Sequence, residues 1–418
     1  MGEYFADDPA PPAAAPAAAP APAPAPGSAS RFSPNKDLTG EKLVFLTPFA
    51  IPVEWIAGAR RAYPGLEVEA RRFNPWAPGN GSPPDDVDWA RVTILVTGPS
   101  LPTPQAAPRL RLVQLQSAGA NYALDKPLFK EKGVVFCTAN GVHGPQIAEW
   151  VIATYLTFQH RLLHYYEKQK EGYWDRDTHD LDTVDAVSQR VGILGYGSLG
   201  RQVARAATAL GSEVYAYTAR PRPTPESRRD DAYYVPGLGD PEGVLPAKWF
   251  SGTGRADIHA FLASGLDLLV VALPLTDATR GLLGADEFKV LYDAAPEQQR
   301  ADDLTEEERA RWEAKGRKKR PRTYVSNVGR GPVIRTDDLL AALDGGWIRG
   351  AALDVTDPEP LPKDHPLWTA ENVTVTPHIS GNSTHYTDRL LAIVDVNLER
   401  LSRGEDKFIN EVNKKRGY

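Results

Sequence analysis

The sequence predicts an α/β protein of two lobes, one a Rossmann-type doubly wound parallel sheet, the other a smaller α/β domain. Three observations carry this. The segment Val191–Gly200, VGILGYGSLG, holds a G-x-G-x-x-G spacing between a β-like run and a helical run. Short apolar runs alternate with helical periodicity from Lys42 to Gln169, and again from Arg190 to Thr376. At 418 residues the chain suits two or three domains.

The glycine segment is specific because of its context. Val191–Leu194 reads as a strand, and RQVARAATALG then places Val203, Ala206, Ala207 and Leu210 at helical intervals before a second strand, Val214–Tyr217. Gly195 permits the tight turn, Gly197 lets a pyrophosphate approach the backbone, and Gly200 lets helix pack on strand. The free N–H groups at the helix start, on Ser198 and Leu199, then face the phosphates. A carboxylate commonly ends the second strand to hold an NAD ribose. Here the stretch is YAYTARPRP, with Thr218, Ala219 and Arg220 in that place and Arg222 close behind. A hydroxyl and a guanidinium suit a 2′-phosphate, so NADP(H) is preferred and NAD(H) possible. The plainer alternative is a pair of solvated arginines at a strand exit.

Composition excludes several classes. Apolar residues make up 42% of the chain, enough for a sizeable core, and the net charge of −6 argues against nucleic acid as a partner. No apolar stretch could span a bilayer. The lone Cys137 rules out an internal disulfide framework, fits a reducing compartment, and reads as a buried hydrophobe within GVVFCTA. No His or Cys spacing suggests a metal. Residues 1–38 read as a disordered Pro/Ala-rich tail without targeting features, which leaves a cytoplasmic protein as the expectation.

Order begins near residue 39. KLVFLT, LEVEARRF, VTILVTG, LRLVQLQSAG and GVVFCTAN read as strands, Val53–Tyr63 as a helix, and Pro145–Gln169 as one long helix. These form a first domain, 39–165. The second, 186–380, continues after the fingerprint with LDLLVVAL, TYVSNV, GAALDV and NVTVTP. A last helix over Asn382–Arg403 returns to the first lobe, so 382–418 completes it. Two stretches look inserted: Arg222–Arg255, and the charged segment 293–322. Within the latter, Thr305 and Glu308 form a capping-box pattern, and KGRKKRPR is either a solvated surface run or a polyanion patch.

Three motifs end strands of the second lobe. SNVGRG places Arg330 in a glycine-flanked turn, LDVTDPEP carries Asp354 and Glu359, and TPHISGNS carries His378. Singly, each reads as ordinary loop chemistry. Together they put a carboxylate anchor, a carboxylate and an imidazole at the ligand-binding edge of one sheet, which hydride transfer to a keto acid requires.

These segments, with ALPLTDATRGLL, HPLW and NVTVTPHISG, resemble the D-isomer-specific 2-hydroxyacid dehydrogenase family over Lys42–Tyr418. YTARPRP is most like its glyoxylate/hydroxypyruvate reductase group. The resemblance implies a flavodoxin-like substrate domain, a small 2-keto or 2-hydroxy acid substrate and a homodimer built on the helix near Pro145–Gln169. It makes Arg330 the residue that binds the substrate carboxylate, His378 the acid/base and Glu359 its partner. It sets Asp354 near the nicotinamide carboxamide. Backbone groups of Ser117, Ala118, Gly119 and Ala120 would hold the substrate, and Leu273, Pro274, Thr279, Asn327, Val328 and Gly329 would line the cofactor cleft. His143 and Trp150 lie where they could reach substrate. Two departures stand out: SAGANYALD lacks the glycine and aspartate usual after SAGA, and the segment before SNVGRG is long. A formate dehydrogenase-like reaction is disfavoured, because that group pairs its histidine with glutamine. A dinucleotide-sensing corepressor-like binding protein is the reading from another class.

Overall fold

The computed structural model describes residues 31–175, 183–295 and 321–417. Its first sheet contains β1 (Lys42–Thr47), β2 (Glu67–Arg72), β3 (Ile94–Thr97), β4 (Leu112–Leu115) and β5 (Val135–Cys137). They lie in the order β2-β1-β3-β4-β5, all parallel. That is the flavodoxin-like order the resemblance implies. Every residue of β1 is buried, as expected of a parallel strand covered on both faces. The alternation of side chains is explicit: Leu43 and Phe45 join one core cluster, Val44 and Leu46 the other.

The second sheet contains β6 (Arg190–Leu194), β7 (Glu213–Thr218), β8 (Lys248–Ser251), β9 (Leu268–Val271), β10 (Tyr324–Asn327), β11 (Gly350–Leu353) and β12 (Val373–Val375). The order β12-β11-β10-β9-β6-β7-β8 is that of a doubly wound nucleotide fold, with its reversal between β6 and β9. The C-terminal helix Tyr386–Ser402 buries Leu390, Ile393, Val394, Leu398 and Leu401 in the core of the first lobe. The chain therefore crosses between lobes twice.

Several expectations need correction. The tail was expected to extend to residue 38, yet Phe32 and Leu38 are buried in the first lobe's core, with Phe32 set edge-on to Phe408 at 5.3 Å. The helix expected over Pro145–Gln169 is two, Gly144–Gln159 and Leu162–Glu171. Between them Arg161 takes a left-handed conformation, φ 52°, which breaks the i→i−4 ladder. The stretch Arg222–Arg255 is only partly an insert, because it supplies β8, which pairs with β7.

The remainder of that stretch spans the lobes. Tyr233 sits in the first lobe's core, its N–H donating to Asn410 Oδ1 at 3.2 Å. A side chain on Gly141 would collide with the Tyr233 carbonyl at 1.7 Å, so glycine is required there. The Thr305–Glu308 pattern and most of the KGRKKRPR run lie outside the described residues. Arg322, at its end, makes a bidentate bond to Asp267 at 2.7 and 2.8 Å, ahead of β10. No helix among the described residues is long and apolar enough to cross a membrane.

Candidate active site in the cleft between the lobes

The carboxyl ends of both sheets open on one cleft of about 2540 Å³. The fingerprint glycines explain its floor. Gly195 has φ 107°, and a Cβ there would meet the Ala272 carbonyl at 2.8 Å. A Cβ on Gly200 would strike the Gly195 carbonyl at 2.6 Å, so helix and strand touch through backbone. Gly197 is the opposite case, with nothing within 4 Å of a built Cβ. Nothing in the fold needs that space; a phosphate does. Arg201 N–H is bonded back to Gly197 O at 2.9 Å, which leaves Ser198, Leu199 and Gly200 as the helix-opening donors. All of them border the cleft. The residues present therefore fit a dinucleotide.

This fit makes a separable prediction. Gly197→Ala should leave thermal stability within about 1 kcal/mol, since φ is negative and no atom is displaced. It should weaken dinucleotide binding at least about tenfold by crowding the pyrophosphate. Calorimetric titration beside a melting curve reads both; unchanged affinity would show that the phosphate lies elsewhere.

At the ribose end, Thr218 and Ala219 border the cleft, as does Arg222, but not Arg220. Arg220 is exposed, and its carbonyl accepts the Thr218 hydroxyl at 2.7 Å. The arginine at this rim is therefore Arg222, whose Nη1 donates back to Ser227 O. Leu273, Pro274, Val328 and Gly329 form the opposite wall. Thr279 and Asn327 do not touch the cleft but shape it. Thr279 donates to Pro274 O at 2.7 Å and accepts from Thr276 N–H at 2.8 Å, closing that loop. Asn327, fully buried, donates to Arg330 O at 3.2 Å and accepts from Gly329 N–H at 3.1 Å, fixing the arginine turn.

The three chemical motifs converge. His378 borders the cleft, and its Nδ1–H donates to Glu359 Oε1 at 2.8 Å; Glu359 stands behind it. This bond fixes the tautomer, leaving Nε2 to exchange a proton. His378 is held at φ 56°, an uncommon conformation for a side chain of its size, and its N–H donates to Asp354 O at 2.9 Å. Asp354 borders the cleft too, but its buried carboxylate accepts from Thr376 Oγ1 (2.6 Å), Ile379 N–H (2.9 Å), Ser380 N–H (3.1 Å) and the Ser380 hydroxyl. Its visible task is to aim the His378 loop, through bonds that exceed neutral ones in strength.

Arg330 reaches across to the first lobe. Its Nη1 donates to Gly329 O at 2.7 Å, and its Nη2 would lie 3.1 Å from a Cβ built on Gly119. Burial lowers its pKa while Glu359 opposes the shift; a guanidinium stays charged regardless. Ser117, Ala118, Gly119 and Ala120 all border the cleft, and Ser117 Oγ donates to Gly119 O at 2.6 Å. The Tyr122 hydroxyl, 2.8 Å from Ser117 Oγ, and Trp76, edge-on to Tyr122 at 5.1 Å, close this side. Neither aromatic stood out in the sequence, where no motif marks them. His143 borders the cleft, whereas Trp150 packs against the second lobe's core. No group of three metal-ligating side chains occurs among the described residues.

The pattern of residues 152–238 and 312–380 matches the D-isomer specific 2-hydroxyacid dehydrogenase NAD-binding domain. The chain is 30% identical to the human glyoxylate reductase/hydroxypyruvate reductase over 294 residues, 70% of this chain and 74% of that protein. The chain belongs to the D-isomer specific 2-hydroxyacid dehydrogenase family. It is thus an NAD(P)-dependent oxidoreductase, with a nicotinamide dinucleotide as its cofactor. Two solved members of this family share the fold closely. The Xanthobacter autotrophicus enzyme, solved with NADPH and MES, is 27% identical with a TM-score of 0.64, covering 90% of this chain and 99% of that one. The NADPH-dependent glyoxylate/hydroxypyruvate reductase of Sinorhizobium meliloti, solved with NADP and sulfate, is 26% identical with a TM-score of 0.62, covering 90% and 100%.

Proposed function

We propose that the protein reduces a small 2-keto acid, of the glyoxylate or hydroxypyruvate kind, to the D-2-hydroxy acid with NADPH, and catalyses the reverse oxidation. The observation that carries this reading is the His378–Glu359 pair at 2.8 Å, sharing a cleft with Arg330 and the fingerprint turn. The names of the similar proteins agree with it.

A bound reduced nicotinamide supplies the hydride. Arg330 pairs with the substrate carboxylate and polarises the keto oxygen. Protonated His378 gives its Nε2 proton to that oxygen as it becomes an alkoxide, while Glu359 stabilises the imidazolium and holds the ring. Backbone groups of Ser117–Ala120 position the carboxylate from the other lobe. Ser198, Leu199 and Gly200 hold the pyrophosphate, with Leu273, Pro274, Val328, Gly329 and Asp354 around the nicotinamide half. Preference for NADP(H) over NAD(H) rests on Thr218, where an acid would repel a 2′-phosphate, and on Arg222 at the rim. A panel of 2-keto acids with NADPH and NADH in parallel tests this. Turnover favouring NADPH is expected; tight cofactor binding without turnover of any keto acid would instead support a sensor.

A second copy of the chain is the proposed partner. Leu162, Leu163 and Tyr166 of the helix Leu162–Glu171, with Trp174 beyond it, expose more than half of their surfaces. Sedimentation should find a homodimer, and a monomer would contradict this.

A further inference from the structure

The strongest unassigned feature is a pair of uncharged groups beside the charged ones. His143 precedes the helix Gly144–Gln159, and its ring borders the cleft. The ring packs on that of Tyr386 at 5.2 Å, and Tyr386 packs on Phe49 at 6.3 Å. The two helix starts that carry them are tied together. Gln146 donates to Gly381 O at 2.9 Å, and Arg389 donates to Gln146 Oε1 at 2.6 Å and Val142 O at 3.1 Å. A side chain on Gly381 would meet His143 Cδ2 at 3.0 Å, so the loop after His378 is moulded to this ring.

His143 Nδ1 is buried without a hydrogen-bond partner. A buried N–H left unpaired costs more than a buried lone pair, so the proton belongs on Nε2, the nitrogen that is not enclosed. Burial, together with the neighbouring Arg330, Arg389 and His378, pushes this imidazole down to about 4, and it is neutral near pH 7. Burial raises the Tyr386 phenol, which therefore keeps its proton. Tyr386 borders the same cleft, and its hydroxyl is not among the enclosed, unpartnered polar atoms. Arg330 and His378 suffice for the carboxylate and the keto oxygen. A neutral N–H beside a hydroxyl that both donates and accepts is complementary to one further group, an uncharged hydroxyl.

We propose that His143 and Tyr386 form a specificity subsite for the C3 substituent of the keto acid, selecting one that carries a hydroxyl. This rests on the keto-acid reductase reading above and names its substrate class. A methyl in the same place would leave both polar groups desolvated and unpaired, and sites built to bond a hydroxyl reject analogues that lack it.

Hydroxypyruvate and pyruvate differ only in that hydroxyl, so the readout is the ratio of their kcat/KM values with NADPH. The wild type should favour hydroxypyruvate. Tyr386→Phe, which keeps the packed ring, should lower the ratio about 3- to 10-fold, the worth of one neutral hydrogen bond. His143→Leu should lower it by at least as much, and His143→Asn should restore part of it. Equal losses on both substrates would reveal a structural role and overturn the proposal, as would an unchanged ratio. If the wild type reduces no keto acid with either cofactor, the underlying reading fails. If it does and the ratio stays fixed, this subsite alone is wrong.

Discussion

His378→Ala should retain NADPH binding and lose about 10²–10⁴ in kcat, the usual contribution of a positioned general acid. The expectation follows from placement. Nδ1 is committed to Glu359 at 2.8 Å, so Nε2 is the atom left to move a proton. The loop that presents it is fixed by the buried Asp354 carboxylate, so substitution should remove the acid without moving the cleft. Glu359→Gln should give a smaller loss, because an amide still accepts the Nδ1–H bond but cannot offset the imidazolium charge. Steady-state kinetics with cofactor affinity measured in parallel checks both. Wild-type turnover by His378→Ala would remove this residue from the chemistry.

Arg330→Ala should be the second large effect, raising KM and lowering kcat together. Removing one partner of a desolvated charge pair costs about 3–4 kcal/mol, roughly 10²–10³ in kcat/KM. Both constants should change because, in the proposed mechanism, the guanidinium holds the carboxylate in the ground state and faces the oxygen as charge develops. Arg330→Lys keeps the charge but loses the planar fork, and should recover only part of the loss. Kinetics unchanged from wild type would show that the carboxylate binds elsewhere.

Much of the site was legible because its signals are local. VGILGYGSLG fixes strand, turn and helix within ten residues, and a built Cβ at Gly195 or Gly200 meets backbone, as the spacing implied. Arg330, Asp354 and His378 each follow a short apolar strand of a parallel sheet, and such strands end at one edge by construction. What stayed hidden depends on contacts between distant segments. Phe32 and Tyr233 lie in polar surroundings in sequence and are buried only because the first lobe has room for them. The bend at Arg161 interrupts a stretch whose periodicity is helical on both sides. Arg220 and Arg222 are equivalent in composition, and only the course of the chain after β7 decides which one meets the cleft. Trp76, Tyr122 and Tyr386 come from three remote segments, the last of them the start of the C-terminal helix, and no spacing joins them.

The central claim is that one cleft brings nicotinamide and keto acid together under His378 and Arg330. Its most direct test uses NADPH carrying deuterium at C4 on its transferable face, with the product analysed by mass spectrometry and chiral separation. The account predicts one deuterium on C2 of a D-2-hydroxy acid from wild-type protein, and almost none from His378→Ala in the same time. Cofactor bound tightly with no label in any 2-hydroxy acid would contradict it.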